Sequence, residues 1–220
     1  MIRKSENMST VMIIGANGGT ARILTNRILK ETNDNLILFL RNASRLSQYE
    51  DNDRVTVVDG DVLKTQALAK AMEPADIVYS NVGGTDLGAQ TKSILAAMEQ
   101  VDKKRLIFIS ALGAHHEVPG KFGEWNEQAI SAFLPGFRES AKLLEASDIY
   151  YTEIRPAWLT NDHEIDYETT TQNEAFKGTE VSRASVADFV LKLLENPRQD
   201  LRASIGLDKP NTDGDKPSWM

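Results

Sequence analysis

Apolar residues along this chain follow two rhythms. Runs at 11–14 (VMII), 36–40 (LILFL), 55–58 (VTVV), 76–80 (DIVYS), 105–110 (RLIFIS), 150–155 (YYTEIR) and 203–207 (ASIGL) are short and largely lack alternation. Strands buried on both faces read this way. Between them, 20–30, 64–73, 87–101, 126–146 and 186–195 space apolar residues helically, as Ile23, Leu24 and Ile28 stand among Arg22, Asn26, Arg27 and Lys30. Such strands separated by helices require a parallel sheet covered on each side, because right-handed crossovers place helices on both faces. The pattern predicts a doubly wound α/β fold. No composition break or repeat divides it, so one domain is expected over 1–220. Segments at about 111–134 and 158–180 are expected to cover the strand ends. The tail 208–220, with its Pro, Asp and Gly, is expected off the sheet, with Trp219 docked on the surface. Ser185 and Asp188 ahead of an apolar helix have the spacing of a capping box, a structural feature.

The turn after the first run carries the first chemistry. It reads GANGGTA, from Gly15 to Ala21, between a strand and a helix. Gly15 permits the tight turn, Gly18 lets backbone approach a pyrophosphate, and the small Ala21 allows helix and strand to pack closely. Asn17, Gly19 and Thr20 complete the loop, and the free N–H groups of the helix start face the anion. The spacing is G-x-x-G-x-x-A and lacks the Lys-Ser/Thr pair of a P-loop. The same turn can occur with no ligand, but a strand before it and a helix after it favour a dinucleotide. At the end of the second run stand Leu40, Arg41 and Asn42, where an NAD-selective site usually has Asp or Glu. Arg41, reinforced by Arg45 or Arg22, can hold a 2′-phosphate in a charge-assisted contact of about 1.5–3 kcal/mol. NADP(H) is therefore the preferred cofactor, with NAD(H) the alternative.

Composition narrows the partners. Twenty-five basic against 32 acidic residues give a formal charge of −7, which argues against a nucleic-acid or anionic-membrane partner. There is no Cys, which removes disulfides, thiolate catalysis and Cys-based zinc sites and fits a reducing compartment. The opening MIRKSENMST lacks the apolar run of a leader, and no stretch has the ~20 apolar residues of a membrane span. A cytoplasmic protein acting on a small molecule is expected. No metal site is expected, since adjacent His115 and His116 lack a suitably spaced third ligand. The aromatics leave a homodimer open.

GANGGTAR, LFLRN, VDGDV, Val82-Gly83-Gly84, FISALG, EIRPAWLT and VSRASVADFVLKLL together resemble the atypical short-chain dehydrogenase/reductase group. More narrowly, they resemble its small NAD(P)H-binding, NmrA-like and flavin-reductase-like members. The resemblance implies a Rossmann-type parallel sheet with NADP(H) across the strand ends. It implies that Asp61 and Val62 flank the adenine and that Asn81, Val82 and Gly83 line its ribose. Ser110 would lie beside the nicotinamide, Lys142 on its ribose, and Pro156 and Ala157 near the carboxamide. The best-known relatives reduce carbonyls with a Tyr-x-x-x-Lys pair. Here Arg138 stands four residues before Lys142, and the proton-donating tyrosine is missing. Catalytic candidates are Ser110, Lys142 and His115, whose imidazole titrates near neutrality. The expected activity is hydride transfer to a planar acceptor such as a quinone or flavin. The alternatives are a redox-sensing regulator that binds NADP(H) with little turnover, and a scaffold with a vestigial pocket.

Overall fold

Alternation within the first strand sets the layering of the molecule. In the computed structural model, which describes residues 8–220, Val11 and Ile13 of β1 (Thr10–Ile14) join one core cluster and Met12 and Ile14 another. Leu36 and Leu38 of β2 (Asn35–Leu40) divide from Ile37 and Phe39 in the same way. The first cluster includes Leu24 and Ile28 of α1 (Gly19–Glu31) and Val186, Val190 and Leu193 of α6 (Arg183–Glu195). The second includes Leu68 and Met72 of α2 (Thr65–Met72), Ile94 and Met98 of α3 (Leu87–Gln100), and Leu144 of α5 (Leu134–Ala146). Both faces of the central strands are dry, so their sequences read as continuous apolar runs.

Strands β3 (Val55–Asp59), β2, β1, β4 (Ile77–Ser80), β5 (Arg105–Ile109), β6 (Tyr150–Pro156) and β10 (Ala203–Asp208) lie parallel in that spatial order. Strand β8 (Glu168–Thr171) adds an antiparallel edge against β10. The direction of winding reverses between β1 and β4, and such reversals open a crevice at the carboxyl ends of the strands. This is the expected doubly wound, Rossmann-type single α/β domain. No helix among the described residues is long and apolar enough to cross a membrane.

Several local expectations are corrected. The helix expected over 126–146 is two helices, α4 (Gly120–Ala129) and α5. Pro135 sits in the first turn of α5, where its missing N–H costs nothing, and it cannot continue a helix from before. Helix α6 starts earlier than its apolar pattern, and its cap is Ser182, whose hydroxyl accepts from the Ser185 N–H at 2.9 Å. Ser185 is thus inside the helix, and Asp188 pairs instead with Arg27 and Lys192 at 2.9 and 2.8 Å. The covering segment 158–180 carries the start of a small parallel pair, β7 (Trp158–Thr160) with β9 (Glu180–Ser182), too short to show a period in sequence. Beyond β10 the tail leaves the sheet and is tied where Thr179 donates to the Thr212 carbonyl and Ser218 to Glu180. Trp219 remains about half exposed at 47%. Of the polar opening stretch, residues 1–7 lie outside the described residues.

One polar device is built into the second core. Arg155 of β6 is fully buried and pairs with Glu117, itself 2% exposed in its side chain. The Glu117 carboxylate also accepts the Gly113 and His115 N–H groups at 3.0 Å each, so it fastens the loop after β5 to the sheet. Removing one member of a buried pair strands the other charge. Glu117→Ala is expected to lower unfolding free energy by about 3–5 kcal/mol in urea titration. Replacing both partners with apolar residues is expected to cost less than the single change. A loss below about 1 kcal/mol for Glu117→Ala would show that the pair does not hold this loop.

Candidate functional site

Two cavities lie along the carboxyl ends of the strands and meet at Asn81, Val82 and Gly83. The first, about 550 Å³, is lined by Gly15, Asn17 and Gly18 of the glycine turn, by Arg41 and Arg45 after β2, and by Asp61 and Val62 after β3. Gly15 has φ +77°, a left-handed conformation natural to glycine. A Cβ on it would come within 2.8 Å of the Asn81 carbonyl oxygen, and one on Gly18 within 2.1 Å of the Asn81 amide nitrogen. Asn81 is itself held, its Oδ1 accepting from the Tyr79 hydroxyl at 3.0 Å. Helix α1 opens with no side-chain cap and no acidic residue in its first turn. Its leading N–H groups and dipole are left for an external anion. The donor set therefore suits a dinucleotide pyrophosphate, with two guanidinium groups beyond it.

The second cavity, about 370 Å³, is mostly apolar in its lining side chains. Ile109, Ala111 and Leu112 form one side, Ile130, Phe133 and Phe137 another, and Pro156, Ala157, Trp158 and Leu159 a third. Gly19, Thr20, Ser110 and Arg183 supply its polar groups beside Asn81. The Trp158 indole donates to Asn126 at 3.0 Å and packs against Trp125 at 4.8 Å, which fixes the wall.

Of the sequence-derived cofactor residues, Gly15, Asn17, Gly18, Arg41, Asp61, Val62, Asn81, Val82 and Gly83 line the first cavity. Gly19, Thr20, Ser110, Pro156 and Ala157 line the second. Ala21 is buried in the packing between α1 and the sheet, where a small residue was needed. Asn42 is exposed, with φ +59°, and lines neither cavity. Nor does Lys142, which is exposed on α5. Arg138 donates to the Gly113 carbonyl and to Glu127, so it clamps a loop and does not face the cleft. Phe133, just before α5, and Phe137 within it line the cavity, one helical turn apart. No tyrosine or lysine is among the lining residues. Arg183 was missed because it stands at the start of α6, some 160 residues from the glycine turn. It lies close to Gly19, and no local pattern marks that proximity.

His115 does not line the second cavity either. Its Nε2 is 2.6 Å from Glu153 Oε2, behind Ser110. Ser204 donates to the same oxygen at 2.6 Å, and Arg155 donates to Ser204 at 2.8 Å. The Glu153 hydrogen bond raises the His115 pKa, against a smaller opposing effect of burial. Burial pushes Glu153 up, but hydrogen bonds from His115 and Ser204, the His115 charge and a smaller contribution from nearby Ser110 outweigh it and hold the carboxyl below its ordinary value. A raised histidine contributes stability that is full below about pH 6.5 and lost as pH climbs through its folded value. A lowered glutamate contributes stability that is lost as pH falls below its ordinary range. Denaturant titrations at pH 6 and 9 are expected to show a decline with pH that His115→Gln abolishes. An equal decline in the variant would assign the slope to another group.

Comparison with known proteins fits this geometry. Residues 15–197 match the model of a family described as NAD(P)H-binding. A short-chain dehydrogenase/reductase of wide type from Veillonella parvula, solved in complex with NADP, is 30% identical. It superposes with a TM-score of 0.90 over 96% of this chain and 99% of its own. A Rossmann-fold NAD(P)-binding family protein from Shigella flexneri is 39% identical with a TM-score of 0.82, over 97% of this chain and all of its own. A Bacillus subtilis protein described as an uncharacterized sugar epimerase, YhfK, is 25% identical over 88% of this chain and 91% of its own length.

Proposed function

Because this chain belongs to the NAD(P)H-binding family of oxidoreductases, we propose that it uses NADPH to reduce a flat acceptor, a quinone or a flavin, in the second cavity. The observation that carries the reading is the junction of the two cavities at Asn81, Val82 and Gly83. One side is polar, with an uncapped helix start and two arginines; the other is apolar, with flat aromatic walls. The bound cofactor supplies a hydride at its nicotinamide. The chain's own residues do the rest. The N–H groups at the start of α1 hold the pyrophosphate, and Arg41 and Arg45 hold the 2′-phosphate. Phe133, Phe137 and Trp158 confine the acceptor and exclude water, which favours an offset-stacked ring over a flexible aliphatic ketone.

Absence of a tyrosine from the lining points away from unassisted ketone reduction, since a ketone needs a proton as the hydride arrives. Quinones and flavins are less demanding. A purely sensing role would need the first cavity alone. The shaped apolar cavity beside Ser110 favours turnover over sensing.

Two outcomes follow. Arg41→Asp is expected to weaken NADPH binding by roughly ten- to hundredfold while leaving NADH affinity nearly unchanged, as read by cofactor fluorescence. Equal losses for both cofactors would move the 2′-phosphate contact elsewhere. In an absorbance assay at 340 nm, NADPH oxidation is expected with menadione or FMN and not with simple aliphatic ketones. Tight NADPH binding without oxidation by either planar acceptor would replace the reductase reading with a sensing one.

A further inference from the structure

Behind the apolar cavity lies a line of polar groups that the cofactor reading leaves unused. Ser110 lines the cavity, yet its Oγ is buried and lacks a partner at ordinary hydrogen-bond geometry among the described residues. Glu153 Oε1 is in the same condition. Both side chains belong to the same sheet face, because Ser110 follows Phe108 by two residues and Phe108 is directly opposite Glu153 in the β5–β6 register. The hydroxyl is close enough to help stabilise the Glu153 carboxylate. The other carboxylate oxygen, Oε2, meets His115 Nε2 at 2.6 Å, and His115 Nδ1 is 3.8 Å from Glu145, which is about half exposed on α5. The charged and polar groups facing His115 are therefore Glu153 and Arg155 from β6, Glu145 from α5, Ser204 from β10 and Glu117 from its own loop. Two buried polar atoms without partners on one sheet face are costly and call for an explanation.

We propose that His115 and Glu153 form a proton line from solvent to Ser110, which delivers the proton that completes reduction of the acceptor. The proposal rests on the reductase reading above. After hydride addition the acceptor carries an extra electron pair on oxygen or nitrogen. The Ser110 Oγ–H bond breaks and its proton bonds to that atom, after a χ1 turn that brings Oγ from Glu153 to the cavity. Glu153 restores the hydroxyl with a proton received from His115 Nε2 at Oε2 and presented after a half-turn of the carboxyl. His115 is left neutral with its proton on Nδ1; a ring flip turns that N–H to Glu153 and the bare Nε2 toward the Glu145 side, where solvent reprotonates it. The sum is one hydride from the cofactor and one proton from water, a balanced two-electron reduction. In this scheme Ser110 is the catalytic residue, and His115 and Glu153 are positioning residues that act through it. The proton reaches the acceptor from the sheet side of the cavity, not from α5.

The test combines NMR with kinetics. In the ligand-free chain, the His115 ring pKa measured by NMR is expected to lie above the ordinary value and to rise further in Ser110→Ala, because Glu153, still ionised but without that donor, holds the imidazolium more strongly. With NADPH and menadione or FMN as probes, kcat is expected to decline as pH rises through that same value. His115→Gln is expected to lower kcat on the order of a hundredfold and to remove the pH limb, with NADPH affinity unchanged. Its ring is partly exposed, so the variant is the safer probe; Glu153→Gln serves as a second only if its thermal unfolding stays cooperative. A His115 pKa unmoved by Ser110→Ala, or a His115→Gln enzyme with the wild-type pH profile, overturns the proton line while the reductase reading stands. Failure of the wild-type chain to oxidise NADPH with either acceptor, despite binding it, overturns both.

Discussion

Between Gly15 and Asn81 the backbone of one connection lies directly against that of another, and the cleft takes its form from that approach. A Cβ on Gly15 would come within 2.8 Å of the Asn81 carbonyl oxygen, so the turn after β1 can cross the end of β4 only as glycine. The left-handed φ of +77° makes the same demand from the dihedral side. From this crossing, α1 leaves with its first N–H groups uncapped, and the β1–β4 boundary is also where the sheet reverses its winding. An anion-binding helix end and a ligand crevice coincide because one turn creates both.

The other half of the site depends on charges kept inside the sheet. Along β6, Tyr151 joins the apolar core on the α5 side, but Glu153 and Arg155 on that same face turn the layer polar. Burying such groups is tolerable only because each has charged or hydrogen-bonding partners. Arg155 answers Glu117, which fastens the loop after β5, and Glu153 answers His115 and Ser204. The loop that walls the apolar cavity is therefore held by electrostatics from beneath, while Phe133, Phe137 and Trp158 close it from above. The two arrangements divide the labour: backbone geometry forms the polar cavity, and packed side chains wall the apolar one.

The strands and the glycine turn were legible in sequence because their signals are local. A run apolar on both faces, or a glycine at a fixed offset from a helix start, carries its physical reason within a few residues. The line of cavity residues at strand ends was legible for a related reason, since the fold delivers every strand end to one edge. Lys142 was assigned by position in a family pattern and Asn42 by its place after Arg41 at a strand end; where they lie depends on helix phase and on a left-handed turn that neither signal encodes. The break between α4 and α5 was signalled by Pro135 and missed because apolar spacing resumes on either side. Arg183, Glu153 and the true surroundings of His115 were illegible. Each is brought to the site by a strand register or helix crossing made with residues far away in the chain.

The central claim is that the polar cavity holds a dinucleotide and selects the 2′-phosphate. Isothermal titration of the wild-type chain with NADPH and NADH at low and moderate salt addresses it most directly. The account predicts one site per chain, with NADPH bound at least tenfold more tightly than NADH and the difference shrinking as salt screens the exposed arginines. Equal affinity for the two cofactors would contradict the selectivity, and no binding of either would contradict the site itself.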